Sequence, residues 1–172
     1  MTKSSPQVIG KRMAIIAWLA GIFVLTQLFG NWETNQRQPN KHPVSNVIND
    51  EIHVQLLQNR QGHYRVDGKI NGSEAAFMID TGATDVVIPK QLASQFQLTG
   101  EGKGIGLTAN GYVDLERTVI KELSIGQITL YNVRASINPG MTKDQAILLG
   151  MSALSQLELK QHQGILTLVQ HN

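Results

Sequence analysis

Apolar and polar residues are unevenly distributed along the 172-residue chain. Between Met13 and Gly30 the run "MAIIAWLAGIFVLTQLFG" carries no charge, and only Thr26 and Gln27 are polar. As a helix it spans roughly 27 Å, enough for the hydrocarbon core of a bilayer. The pattern therefore predicts a transmembrane helix over 13–30, after a short N-terminal segment over 1–12. Lys11 and Arg12 stand directly before the run, with Trp18 and Trp32 as candidate interfacial anchors. The basic flank predicts a cytoplasmic N-terminus in an inner membrane and a periplasmic remainder, although Arg37 and Lys41 beyond the span weaken the asymmetry. A cleavable signal peptide has a similar outline, but its apolar region is shorter and no A-x-A site follows here. An uncleaved anchor is the preferred reading.

Residues 31–50, "NWETNQRQPNKHPVSNVIND", are polar and aperiodic, with Pro39 and Pro43. That composition predicts a linker. From Glu51 the texture changes to short alternating runs and turn signals, which defines a globular domain over 51–172. "EIHVQLL" alternates as a strand does, and "HYRVDGKINGSEAAFMID" carries turn signals at Asp67-Gly68 and Asn71-Gly72. "PKQLASQFQL" is helix-like, with Pro89 suited to a first turn. "GEGKGIG" reads as a flexible connection. "LTANGYVDLERTVI" reads as a hairpin with Asn110-Gly111 at its tip, and "ELSIGQITLYNVRASI" as two strands about Gly126-Gln127. "AILLGMSALSQLEL" turns at Gly150 into a short helix, and "GILTLV" is a terminal strand. The domain is predicted to be mainly β with one or two short helices.

Charge and composition narrow the chemistry. The formal net charge is only +2, and no Lys/Arg run interleaves with aromatics, so nucleic-acid binding has no support. There are no cysteines, hence no disulfides and no thiolate metal sites. The five histidines show no metal-ligand spacing, and His162 and His171 are expected to be exposed near the C-terminal strand. H-E-x-x-H, G-x-S-x-G and phosphate-loop patterns are all missing, so neither a metal nor a cofactor is expected.

One acidic residue stands out. In "FMIDTGATDVVIP", Phe77 to Pro89, Asp80 lies between two apolar strings, where burial is costly unless the carboxylate has a use. An Asx-type turn with Gly82 at positive φ is the plain structural explanation. Ordinary surface turns have polar flanks, however, whereas these flanks predict a buried turn.

Together, "IDTGATDVVIP", "TANG" and "LLGMSAL" resemble the retropepsin-like aspartic proteases, and especially their bacterial single-pass, membrane-anchored branch. The resemblance runs from about Gly62 to the C-terminus, with its three motifs in order. It implies an acid-protease lobe, a closed β-barrel or sandwich, and a dyad of aspartates sharing a water and a proton. Asp80 is then the catalytic residue. Thr81 fixes the spacing of the dyad through its hydroxyl, and Gly82 gives space for close approach. The chain holds a single D-[TS]-G, so the second carboxylate must come from another copy in a symmetric homodimer.

The resemblance further implies a flap over "TANGYV", with Ala109, Asn110, Gly111 and Tyr112 facing the peptide substrate. Ala83, Thr84 and Asp85 follow the triplet as candidate substrate contacts. Thr84 departs from the family's frequent acidic residue, which puts a bracing ion pair in doubt. Asp85 either lines a subsite or faces solvent and caps the turn. Leu148 to Gly150 is a structural support. The expected function is a membrane-anchored aspartic endopeptidase acting on periplasmic proteins or membrane-protein ectodomains. The alternative is a catalytically silent dimeric peptide-binding or scaffold module of the same fold.

Overall fold

A computed structural model describes residues 6–108 and 111–171. The chain divides after Arg37 into two units. The first is helix α1 (Pro6–Arg37), which contains the Met13–Gly30 span of mean hydropathy 2.0. The side chains of that span are exposed on every side, including Ile15, Trp18, Phe23 and Leu28. By length and composition it can cross a membrane, as a signal sequence can too.

The second unit is mainly β. Its elements are β1 (Val44–Ile48), β2 (Glu51–Leu57), β3 (Arg65–Ile70), β4 (Ser73–Ile79) and β5 (Val86–Pro89). After a 3₁₀ turn at Lys90–Leu92 come β6 (Gly102–Thr108), β7 (Gly111–Ile125), β8 (Ile128–Asn138) and β9 (Ile147–Leu149). Helix α2 (Met151–Leu154), β10 (Glu158–His162) and β11 (Ile165–Gln170) complete it.

The larger sheet runs β3-β4-β9-β5-β8-β7-β6, and pairing of Lys69 with Ser124 and Ile70 with Leu123 joins β3 to β7 and closes a barrel. A smaller sheet runs β1-β2-β11-β10. Phe77, Ile88, Phe96, Ile120, Val133 and Leu149 are buried in one apolar core. Tight hairpins arise where two consecutive residues tolerate positive φ: Asn49-Asp50, Asn71-Gly72 and Gln163-Gly164.

Several elements differ from the sequence expectation. Residues 31–50 are not a continuous linker, because α1 extends to Arg37 and β1 pairs with β2 from Val44↔Gln55 to Ile48↔Glu51. Within that stretch Asn40 is buried. Its Nδ2 donates to the carbonyls of Leu57 at 2.9 Å and Arg65 at 2.7 Å, and its Oδ1 accepts from the Leu57 amide at 2.6 Å.

Asp67-Gly68 is not a turn but lies inside β3. Gly68 is needed there because a Cβ would come within 2.2 Å of the Ser124 carbonyl where β3 crosses β7. The glycine-rich connection is the edge strand β6, paired with β7 from Gly102↔Arg117 to Thr108↔Gly111. The segment after Pro89 forms only a 3₁₀ turn, whereas the short helix expected after Gly150 is present as α2.

Candidate active site

β9 is inserted between β4 and β5, parallel to the first and antiparallel to the second. The loop from Asp80 to Asp85 must therefore cross the end of β9, and its backbone is fastened there. The Asp80 amide donates to the Leu149 carbonyl at 3.1 Å. The carbonyls of Ala83 and Thr84 accept from the amides of Met151 and Ser152, each at 2.8 Å. The Ser152 hydroxyl accepts from the Val86 amide at 3.1 Å and donates to the Arg134 carbonyl at 2.7 Å. Gly150 underlies the crossing, since a Cβ there would meet the Asp85 carbonyl at 2.2 Å and that of Ala83 at 2.7 Å. The apolar "ILL" run and its following glycine thus form a shelf on which the acidic loop rests.

On this shelf Asp80 is half-buried, while Thr81, Gly82 and Thr84 are exposed. The expectation of a buried turn is corrected: the apolar flanks bury β4 and β5, and the loop between them stays open within one chain. The Gly82 amide donates to Asp80 Oδ1 at 2.9 Å, and the Ala83 amide to the Asp80 carbonyl at 3.2 Å. One carboxylate oxygen is thereby oriented, and among the described residues the other has no hydrogen-bond partner. Gly82 is not in the left-handed region. Its constraint is space, because a Cβ would lie 3.2 Å from Asp80 Oδ1.

The side chain of Asp85 is engaged by β8. Ser136 Oγ donates to its Oδ2 at 3.3 Å, and Arg134 Nε lies 3.8 Å from its Oδ1. Ala83 is half-buried in the loop. Of the flap residues, Ala109 and Asn110 lie outside the described residues. Gly111 opens β7 opposite Thr108 with φ +107°, and Tyr112 is 82 % exposed near the end of the hairpin.

A cleft of about 630 Å³ lies beneath the β6–β7 hairpin. Tyr112 and Val113 line it from the hairpin, Met78 and Leu148 from the strands beneath, and Asn138 to Ala146 supply much of the remainder. Met78, the penultimate residue of β4, precedes Asp80 by two positions. Another depression, at Asn71, Gln97 and Lys121, lies at the opposite end of β4 from Asp80. Sequence reasoning missed Ser152, Met78 and Arg65 as contributors here. The polar Ser152 at the start of a short apolar helix was the one available signal.

Comparison with known proteins agrees with this layout. The fold is retropepsin-like. A retropepsin-like aspartic protease from Rickettsia conorii superposes with a TM-score of 0.57 at 21% identity, over 74% of this chain and 94% of that one. The family model of the gag-polyprotein putative aspartyl proteases matches residues 66–156, just over half of the chain, and the protein belongs to that family. An uncharacterized protein from Sinorhizobium sp., described by its place in the cobV 5' region, is 32% identical over 114 residues, 64% of this chain. The match spans only 48% of that relative's length.

Proposed function

We propose that this chain is a membrane-anchored aspartic endopeptidase whose active site is assembled from two copies. The observation that carries the reading is Asp80. Its loop is pinned to β9, one carboxylate oxygen is held by the Gly82 amide, and the other has no hydrogen-bond partner among the described residues, two positions along the chain from Met78 in the cleft wall. One such carboxylate per chain cannot supply both a general base and a general acid. A two-fold pairing brings the second.

Two carboxylates brought within a few ångströms do not both ionise readily, so the pair holds one proton. The ionised Asp80 accepts a proton from water as the water attacks the peptide carbonyl. The protonated Asp80 of the other copy donates to the developing oxyanion. The proton gained by the base then passes to the leaving amine. The open Thr81 hydroxyl is suited to bonding across the pair, and the hairpin carrying Gly111 and Tyr112 to covering the bound peptide. Ala83 and Thr84 present their exposed edge to that peptide.

The anchor is assigned to residues 13–30, with the N-terminal segment cytoplasmic and the β domain periplasmic, on the strength of Lys11 and Arg12 before the uncharged span. A reporter fused after Asn172 tests this: activity only from a reporter that works in the periplasm supports it, and cytoplasmic activity overturns it.

The catalytic reading is tested by incubating the full-length protein and its Asp80→Asn variant with an unfolded protein across a pH series. Cleavage by the wild type alone supports it. Equal binding of peptide by both, with no cleavage by either, assigns the fold to a silent binding module instead.

A further inference from the structure

We infer that Arg65 is a specificity-determining residue that pairs with an acidic side chain of the peptide held in the cleft. This rests on the peptidase reading and adds a substrate class to it. Strand registers place Arg65 opposite Met78, and Met78 beside Leu148, in one row across β3, β4 and β9. All three line the cleft, and Met78 stands two positions before Asp80.

The row is apolar apart from the guanidinium. Arg65 Nε is buried and has no hydrogen-bond partner among the described residues. A desolvated N–H of a cation without an acceptor is costly, and the cost is recovered when an anion arrives. The planar fork of the guanidinium suits a carboxylate, which it binds by two parallel N–H···O bonds.

The chain's own carboxylates near Arg65 do not fill this role. Asp67, two residues along the same strand face, accepts instead from Gln38 Nε2. Asp144 also lines the cleft but is exposed and makes no ion pair among the described residues. Its hydration satisfies it, and solvent screens it against an incoming acid. The asymmetry between a half-buried guanidinium with a dry, unpartnered Nε and an exposed Asp144 favours a negative charge in the cleft. The Met78, Met141 and Leu148 side chains suit the methylenes of a glutamate stem leading to that charge.

The test uses the full-length Asp80→Asn protein in detergent micelles, so that binding is read without turnover. The probes are pools of decapeptides in which each position in turn is fixed as Glu, Gln or Lys. At one position the Glu-fixed pool should bind about tenfold more tightly than its Gln-fixed counterpart, a ratio typical of one charge-assisted contact. Arg65→Gln should level the two pools, and Arg65→Glu should favour Lys. In the wild type the same preference should appear in KM more than in kcat. Equal binding of Glu and Gln pools at every position, or no binding of either, overturns the inference and needs no Arg65 variant to be seen. A preference that survives in Arg65→Gln overturns it as well. The peptidase reading fails separately, if the wild type cuts none of the pools.

Discussion

Gly150 and the carbonyl of Asp85 are in such close contact that a Cβ on Gly150 would lie 2.2 Å from the oxygen. Backbone sits on backbone here, so no flexible side chain can move aside. Gly150→Ala should force the Asp80–Asp85 loop off the end of β9. We expect a loss of about 1–3 kcal/mol or more, as for other overpacked cores, with activity lost alongside. Thermal or denaturant melts of the variant check this, and an unchanged midpoint would show that the loop does not rest on Gly150.

Asn40 holds β2 to β3 through three hydrogen bonds while belonging to neither strand. Asn40→Ala leaves the Leu57 amide and the Leu57 and Arg65 carbonyls without this partner. A cost of about 1–3 kcal/mol follows for each buried group that water cannot reach. Hydrogen exchange at the Leu57 amide should accelerate in the variant. Unaltered protection would mean that the preceding segment only covers the barrel.

Two carboxylates should act on stability with opposite sign. Burial, the largest influence on Asp67, raises its pKa above the ordinary carboxylate value. Its ionised form therefore disfavours folding at pH values above the raised pKa, and the penalty vanishes as pH falls below the unfolded-state value. Asp67→Asn should leave neutral-pH stability equal or higher and flatten the curve between those two values.

At Glu51, desolvation acts upward, but the hydrogen bonds and charges of His53 and His171 outweigh it and hold its pKa below the usual range. Its contribution is present above the unfolded pKa and is lost as pH falls through the depressed folded one. Glu51→Gln should remove that part of the acid transition, whereas Asp67→Asn should not. Denaturant midpoints across pH 3–7, a range of about four units around carboxylate titration, read both effects.

Strands β2, β4, β5 and β11 were legible because each packs apolar side chains into the core, and that demand is written in their alternation or apolar run. β1, β6 and β10 were not, and all three are edge strands in their sheets. β6 is glycine-rich, β10 polar and β1 almost wholly exposed, so none packs a face into the core; a neighbour's hydrogen-bond ladder holds each extended. Asp80 was legible from its apolar flanks, although those flanks bury the strands and not the loop. Arg65 was not legible, since its dry Nε results from the register of β3 on β4, which no local pattern reports.

The central claim is that Asp80 from two copies forms one catalytic site, and co-assembly of wild type with Asp80→Asn tests it most directly. The two full-length chains are co-expressed at varied ratios, and cleavage of an unfolded protein is measured per total chain. With random pairing, active pairs follow the square of the wild-type fraction, so an equal mixture should retain about a quarter of wild-type activity. A linear fall, leaving about half at equal amounts, or cleavage by pure Asp80→Asn at the wild-type rate, would contradict the shared dyad.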